Sequence, residues 1–180
     1  MQITACGSRF ARPEWERRFL LDRIPPEGLV ACARPILDRY ITGTTLRLRR
    51  VAEPDGSLSF KLTQKRNKKG VEAYQGQLTT IYLAEEEYNV LRTLPASVIE
   101  KTRYSVPPFG VDLFKGKLSG LILAEAEFTS AEEAAALEVP AFSLAEVTHE
   151  SRFTGGCLSV STREQLADDL LEFGITLDAK

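Results

Sequence analysis

The sequence predicts an α+β fold in which an antiparallel β-sheet dominates. Eight short runs have strand character, few segments have helical character, and turn signals separate the runs. The runs lie at 14–21, 36–41, 44–51, 57–65, 71–82, 97–106, 109–114 and 121–129. Short strands joined by tight turns are typical of antiparallel sheets. No linker divides the 180 residues, so we expect one domain, 1–180, with its core at about 13–160.

Turn residues mark the ends of the strands. Pro54-Asp55-Gly56 lies just ahead of the fourth run, where it predicts a hairpin turn. A second turn is indicated at 115–120, where two glycines stand among lysine and serine residues. Glycine tolerates the positive φ that many tight turns need, and proline fixes φ near −65°. Both segments therefore separate neighbouring strands.

Helices are predicted between and after the strands. Residues 84–94 have helical character, and a shorter segment at 27–33 has room for one or two helical turns. The Ser-x-x-Glu spacing of a capping box occurs at 130–133 and again at 161–164, each time ahead of an apolar run. The second box predicts a C-terminal helix at about 162–173. We expect these helices to cover the apolar face of the sheet.

The composition limits the class of protein. With 23 Lys and Arg against 25 Asp and Glu, the net charge of −2 argues against a general nucleic-acid binder. No apolar run approaches the roughly 20 residues that span a bilayer, and the first residues lack the pattern of a signal peptide. Cys6, Cys32 and Cys157 are odd in number and widely spaced, which favours neither a disulfide framework nor a zinc site. These features predict a cytoplasmic protein without a membrane partner.

Charged residues of one sign recur two or four positions apart along several runs. Residues separated by two share one face of a strand, so each pair points the same way. The pairs are Glu14/Glu16, Arg47/Arg49, Lys61/Lys65, Lys101/Arg103 and Glu125/Glu127. Like charges at this spacing repel modestly, so stability alone does not favour repeating them. A curved sheet that turned this face inward would enclose a lumen suited to an anion together with a metal ion.

Such a lumen would carry nearly matched charges. Its basic groups would be Arg18, Arg47, Arg49, Lys61, Lys65, Lys101 and Arg103. Its acids would be Glu14, Glu16, Glu72, Asp112, Glu125 and Glu127. A barrel of about eight strands has an interior wide enough for one small ligand. Alternation alone leaves a second interpretation open, because the same groups could form cross-strand salt bridges on an exposed face.

At these residues the sequence resembles the CYTH superfamily, the triphosphate tunnel metalloenzymes. That superfamily includes inorganic triphosphatases, thiamine triphosphatases and class IV adenylate cyclases. The resemblance covers roughly residues 13–160 and is carried by ordered motifs at 14–18, 40–49, 61–65, 101–104, 111–114 with 120–128, and 146–148. Pairs such as Glu-x-Glu occur in many proteins, but the ordered set is specific. The resemblance implies closure into an eight-stranded antiparallel tunnel, with helices packed outside and the charges inside.

The resemblance also implies an activity and a set of site residues. It predicts a metal-dependent hydrolase that cleaves inorganic triphosphate into pyrophosphate and phosphate, with Mg²⁺ or Mn²⁺ as cofactor. Substrate binding is assigned to Arg18, Arg47, Arg49, Lys61, Lys65, Lys101 and Arg103. Metal binding is assigned to Glu14, Glu16, Glu125 and Glu127, with Asp112 and Glu72 as further candidates.

One position departs from the family pattern. The signature lysine is Arg18 in this sequence, and arginine cannot lose its proton near neutral pH. If the family lysine helps to activate the attacking water, another group must do so here. Lys61 and Lys65 are the candidates among the basic residues. Arg18 itself suits bidentate binding of phosphate.

Three alternative functions stay open on the sequence. The substrate could be thiamine triphosphate or a nucleoside triphosphate in place of inorganic triphosphate. A class IV adenylate cyclase is less favoured, because the sequence lacks a His-Phe-Arg segment and its one histidine, His149, comes late. A non-catalytic polyphosphate binder would have less need of the two Glu-x-Glu pairs. In each case the expected partner is a small molecule that carries phosphate groups, with no role for nucleic acid.

Overall fold

Alternating residues and tight turns fold most of the chain into strands. The computed structural model of the protein describes residues 11–67 and 75–177. In this part of the chain the strands are β1 (Arg12–Leu20), β2 (Cys32–Ile41), β3 (Leu46–Ala52), β4 (Leu58–Asn67), β5 (Gln75–Leu83), β6 (Ala96–Val106), β7 (Phe109–Phe114), β8 (Ile122–Phe128) and β9 (Ala145–Glu146). The turn at Pro54-Asp55-Gly56 joins β3 and β4 as predicted, with Gly56 at φ 85°.

The strands close into a barrel. Their order is β5-β4-β3-β2-β6-β7-β8-β1, and a further antiparallel pairing of β1 with β5 completes the ring. One edge of β1 pairs with β8 over residues 15–20. The other edge is divided, because residues 12–15 pair with β5 and residues 19–20 pair with β9. The predicted eight-stranded antiparallel barrel is therefore confirmed, with β9 as a short addition.

The helices lie outside the barrel wall, as predicted. In the described chain they are α1 (Glu85–Leu91), α2 (Ala131–Ala136), α3 (Gly155–Val160) and α4 (Arg163–Leu171), with 3₁₀ turns at Glu27–Leu29, Gly116–Leu118 and Ser151–Phe153. None of the helices among these residues is both long and apolar enough to cross a bilayer. The predicted helical segment at 27–33 is limited to its first three residues, because β2 begins at Cys32 and pairs with β6 from there.

The helix caps test the two predicted capping boxes. Ser130 begins α2, and its hydroxyl accepts a hydrogen bond from the backbone N–H of Glu133, as the spacing predicts. The second box is one residue later than predicted. Thr162 is the N-cap of α4 and exchanges hydrogen bonds with Gln165, in place of Ser161 with Glu164. Both pairs fit the Ser/Thr-x-x-Glu/Gln pattern, so the register is decided by packing, which buries Leu166 and Leu170 of α4.

Two apolar clusters hold helices and loops against the outer face of the barrel. Leu48 and Phe60 of β3 and β4 pack under Tyr88 of α1, whose ring lies 4.6 Å from that of Phe60. Phe19 of β1 belongs to a second cluster formed by β1, β7 and β8, which also contacts partly buried side chains of the segment after α2. Burying a side chain of this size stabilises the fold by about 1.5–3 kcal/mol.

A third apolar cluster closes one end of the barrel. Along four strands, the inward-facing position two residues from a charged side chain is apolar. These positions are Leu20 beside Arg18, Ile99 beside Lys101, Phe114 beside Asp112 and Leu123 beside Glu125. They pack against Phe153, Leu158 of α3, and Leu166 and Leu170 of α4. The interior of the barrel therefore changes from charged to apolar, and α3 and α4 cover its apolar end.

Candidate active site

The charged positions of several strands meet around one cavity of about 340 Å³ inside the barrel. Ten of the predicted site residues line it: Glu14, Glu16, Arg18, Arg47, Arg49, Lys65, Lys101, Arg103, Glu125 and Glu127. Lys61 and Asp112 are not among the lining residues, and Glu72 lies outside the described residues. The barrel has thus brought the same-sign pairs to one cavity, except that Lys61 is not among its lining residues.

Asp112 lies below the cavity surface and binds two of the basic residues. Its side chain is fully buried, and it accepts hydrogen bonds from Arg103 Nε at 2.7 Å and Arg103 Nη2 at 2.6 Å. Lys101 Nζ donates a further bond to the same carboxylate. Burial alone would raise the pKa of Asp112, but the charges of Lys101 and Arg103 outweigh it and hold the pKa well below its usual range. Asp112 is therefore ionised, and its role as a metal ligand stays a prediction.

Asp38 on β2 is a second buried acid that binds a basic residue of the cavity, and the sequence did not predict it. It is fully buried and accepts two parallel bonds from Arg49, at 2.6 Å from Nε and 2.7 Å from Nη2. Arg47 Nε lies 3.9 Å from its Oδ1. Burial would raise the pKa of Asp38, but the charge and hydrogen bonds of Arg49 lower it. The available signal was its place between Ile36 and Tyr40 on one face, because an acid among apolar neighbours needs a buried partner.

Lys65 joins the two carboxylates of β1. Its Nζ lies 2.9 Å from Glu14 Oε2 and 2.6 Å from Glu16 Oε2, and 44% of its side chain is exposed. Burial would lower the pKa of Lys65, but the charges of Glu16 and Glu14 raise it well above the ordinary value. Its ammonium is therefore protonated at neutral pH. That state suits neutralisation of phosphate charge better than proton abstraction.

The carboxylates of β1 and β8 lie side by side on neighbouring strands, with Glu16 paired in register with Glu127. Burial raises the pKa of Glu127, and the nearby charges of Glu14 and Glu125 raise it further. Glu125 differs because Arg103 Nη2 donates to it at 2.6 Å; burial would raise the pKa of Glu125, but the charges of Lys101 and Arg103 lower it. Mutual repulsion at Glu127 is the situation that a divalent cation would relieve.

The acids do not form a complete metal site by themselves. Within the described chain, no three or more His, Cys, Asp or Glu side chains are grouped closely enough to hold a metal ion. Hard cations such as Mg²⁺ usually bind one or two carboxylates together with substrate phosphates and water. The neighbouring glutamates of β1 and β8 fit that partial set of ligands.

Arg18 is buried at the cavity wall with part of its guanidinium uncommitted. Its side chain is 3% exposed, its Nη2 donates to the carbonyl oxygen of Thr148 at 2.7 Å, and its Nε lies 3.1 Å from Glu16 Oε1. Nη1 is buried without a hydrogen-bond partner, and Arg47 Nε has none either. Buried donors of this kind are normally satisfied, so both are candidates for binding an anion.

Lys61 lies apart from this group. Its Nζ stands 5.1 Å from the ring centroid of Tyr82, a side chain that is 73% exposed. It pairs in register with Arg49, which does line the cavity. The part that Lys61 takes in binding or catalysis stays a prediction.

The segment around α3 supplies lining residues that were not predicted. Phe153, Gly155 and Leu158 line the cavity together with the charged strand residues. A Cβ atom at Gly155 would lie 1.9 Å from the hydroxyl oxygen of Tyr40, so the backbone of α3 and this side chain are in direct contact. Burial, reinforced by the charge of Asp38, raises the pKa of Tyr40 to about 12. No sequence motif announced this contact, because two glycines weaken the helical pattern of α3.

Known proteins share both the sequence and the fold. No protein-family model matches the chain. The inorganic triphosphatase of Nitrosomonas europaea is 31% identical over 163 residues, which are 82% of this chain and 97% of that protein. The chain belongs to the CYTH superfamily.

Solved structures agree with this assignment. A structure of an inorganic triphosphatase is 26% identical to this CYTH chain, with a TM-score of 0.54, and the match covers 82% of this chain and 95% of the other. A structure of a hypothetical protein is 29% identical to this chain, with a TM-score of 0.55. That match covers 83% of this chain and 99% of the other. The CYTH fold thus extends over most of the chain.

Proposed function

We propose that this CYTH protein hydrolyses inorganic triphosphate to pyrophosphate and phosphate, and that Mg²⁺ or Mn²⁺ is required. The supporting observation is a single cavity whose wall carries basic side chains on one side and paired glutamates on the other. The similarity to an inorganic triphosphatase supports the choice of substrate. Cleavage of a phosphoanhydride depends mainly on positioning and charge neutralisation, which such a wall can supply.

The basic residues would bind the phosphoryl oxygens. Arg18 Nη1 and Arg47 Nε are buried donors without a hydrogen-bond partner, so they can bind an anion without first breaking a hydrogen bond. Arginine forks match phosphate geometry, whereas the Lys101 and Lys65 ammonium groups act as point charges. As negative charge moves onto the leaving pyrophosphate, these fixed cations stabilise it more than they stabilise the bound substrate.

The neighbouring glutamates of β1 and β8 would hold the cation. Glu14, Glu16, Glu125 and Glu127 are the candidate ligands. Burial raises the pKa of Glu127, and the charges of Glu14 and Glu125, which a cation would offset, raise it further. When bound, the cation supplies charge neutralisation at the phosphoryl oxygens and activates water. The raised pKa values of Lys65 and Tyr40 keep both groups protonated near neutral pH, so these two side chains serve to bind and orient rather than to abstract a proton.

Hydrolysis of an organic triphosphate is the second candidate. It is favoured by the apolar lining residues Leu46, Leu78 and Phe153, which could contact a thiamine or nucleoside group. An inorganic substrate makes no use of such contacts. Comparing substrates therefore separates the two candidates.

The proposal is tested by measuring phosphate release from inorganic triphosphate, ATP and thiamine triphosphate with Mg²⁺, Mn²⁺ or a chelator. We expect the highest kcat/KM for inorganic triphosphate and no release with the chelator. Replacing Arg47 with alanine is expected to lower kcat/KM at least about a hundredfold, the usual effect of losing one such donor. Arg50, exposed on the other face of β3, supplies the control variant Arg50→Ala, which should leave kcat/KM unchanged. Chelator-resistant release, or equal losses in both variants, would contradict the proposal.

A further inference from the structure

Two buried aspartates bind basic residues of the cavity, one on β2 and one on β7. Asp38 of β2 pairs in register with Arg49 of β3, and Asp112 of β7 pairs in register with Arg103 of β6. Both carboxylates are 0% exposed, and neither is among the residues that line the cavity. The same arrangement of an acid below a basic side chain thus occurs on two separate strand pairs.

The contacts fix the orientation of each guanidinium. Asp38 accepts bonds from Nε and Nη2 of Arg49, and Asp112 accepts bonds from the same two nitrogens of Arg103. A bidentate fork of this kind allows one orientation of the planar group, whereas a single bond allows rotation. In both residues the Nε and Nη2 donors are engaged by an aspartate. Nη1 is therefore the nitrogen left for an acceptor on the cavity side.

Stability alone gives no reason to keep these pairs. Removing two charges from water is costly, and replacing a buried ion pair by well-packed apolar residues is often neutral or stabilising. A basic side chain that must meet an anion has a different need. Long side chains lose rotamer freedom when a ligand immobilises them, and holding them in place beforehand avoids that loss at binding.

We infer that Asp38 and Asp112 are positioning residues that hold Arg49 and Arg103 in the orientation that binds triphosphate. The inference rests on the proposed function and assigns to these two side chains no contact with the substrate. It differs from the metal-ligand role predicted for Asp112. Both oxygens of Asp112 already accept bonds from Arg103 or Lys101, and its Oδ2 accepts from both.

Charge and orientation predict opposite effects when Asp38 is neutralised. The Asp38→Asn variant adds one positive charge to the cavity, so electrostatics alone would tighten the binding of triphosphate. Loss of the fork would weaken it, because Arg49 would have to be ordered by the ligand. We expect the dissociation constant for inorganic triphosphate to rise about tenfold, measured by titration calorimetry in the presence of chelator. Equal or tighter binding would overturn the inference.

The matched control is Asp22→Asn, which makes the same change of charge at an exposed surface position and should leave the dissociation constant unchanged within about twofold. The wild type is titrated first. Failure of the wild type to bind triphosphate in chelator would contradict the inference, whereas the proposed function, which requires a cation, is judged separately by phosphate release. Binding by the wild type that is undiminished in Asp38→Asn would contradict the inference alone.

A double variant keeps the test decisive if Asp38→Asn alone does not fold, because removing both members of a buried pair avoids leaving one charge unpaired. Arg49→Gln is compared with Arg49→Gln combined with Asp38→Asn. If Asp38 acts through Arg49, adding the second change should not weaken binding further. A further loss of about tenfold would show that Asp38 acts independently and would overturn the inference.

Asp112 is tested with the same titration. Asp112→Asn is expected to raise the dissociation constant for triphosphate in the presence of chelator about tenfold, as Asp38→Asn is. A variant that kept this metal-free affinity but lost the binding of Mn²⁺, measured by a separate titration, would make Asp112 a metal ligand. That result would overturn the inference for Asp112.

Discussion

Arg18 connects the cavity to the segment that follows β9. Its Nη2 donates to the carbonyl oxygen of Thr148, while Nη1 is buried without a hydrogen-bond partner in a residue that lines the cavity. A lysine at this position has a single side-chain nitrogen, which cannot reach both the carbonyl oxygen of Thr148 and an anion in the cavity. We therefore expect Arg18→Lys to raise the KM for triphosphate about tenfold, with a smaller change in kcat, and to lower the melting temperature by a few degrees.

The neighbouring residue supplies a matched control for this prediction. Arg17 points to the opposite face of β1 and donates to Glu146 and to the carbonyl oxygen of Leu137. Arg17→Lys breaks a comparable set of hydrogen bonds outside the cavity, so it should lower the melting temperature without changing KM. Steady-state kinetics and thermal unfolding of both variants are the measurements. An equal rise of KM in the two variants would mean that Arg18 acts only through stability.

At the residue scale, the sequence predicted ten of the lining residues because each belongs to a same-sign pair or motif on a strand. Asp38 was missed because it stands alone on its strand and belongs to no motif. Lys61 was included because it shares a face with Lys65, yet the barrel leaves it next to Tyr82 and outside the cavity lining. Alternation states which face a residue is on, but not how far along the barrel it lies.

At the scale of elements, α3 is the part that depends most on its surroundings. It has six residues, begins with two glycines and gains its stability from burying Leu158 in the cluster at the barrel end. A Cβ at Gly155 would lie 1.9 Å from the Tyr40 hydroxyl, whereas one at Gly156 would meet nothing within 4 Å. We expect Gly155→Ala to destabilise the protein by about 1–3 kcal/mol and to lower activity, because α3 or Tyr40 must move.

Gly156→Ala is the control, since alanine favours the helix and has free space there. It should leave stability unchanged or raise it by up to about 1 kcal/mol. Denaturant unfolding measures both free energies. Combining Gly155→Ala with Tyr40→Phe removes the hydroxyl oxygen and should recover part of the loss. A Gly155→Ala variant as stable as Gly156→Ala would show that the contact with Tyr40 is not restrictive.

The strands were predictable as elements, and α3 was not, for the same physical reason. Strand residues such as Arg47, Leu48 and Arg49 alternate between two environments, so their order reveals the element. A short helix with two glycines has little intrinsic helical preference, and its packing against distant strands decides its conformation. The shift of the last cap from Ser161 to Thr162 is of the same kind, because two overlapping patterns compete and tertiary contacts choose between them.

For the molecule as a whole, the acids in the cavity wall and beneath it link stability to pH. Asp38, Asp112 and Glu125 have folded-state pKa values below their ordinary values of about 4, each because nearby basic charges outweigh the effect of burial. A lowered folded pKa contributes stability that is present above the unfolded pKa and is lost as pH falls through the folded pKa. Glu127 has a raised pKa and acts in the opposite direction, so it gains stability on acidification. Because three of these groups lose stabilisation in acid and one gains it, we expect the free energy of unfolding to fall as the pH is lowered.

We therefore expect the melting temperature to change little between pH 7 and 5 and to fall steeply below about pH 4, where the unfolded carboxyl groups take up protons that Asp38 and Asp112 resist in the folded state. Thermal unfolding followed by circular dichroism from pH 7 to pH 2.5 measures this dependence. The Asp38→Asn/Arg49→Gln variant lacks one of the linked pairs, so its curve should fall less steeply over the same range. A wild-type melting temperature that stayed constant or rose below pH 4 would mean that these carboxylates are not held by their basic partners. A variant curve parallel to that of the wild type would exclude Asp38 as a source of the dependence.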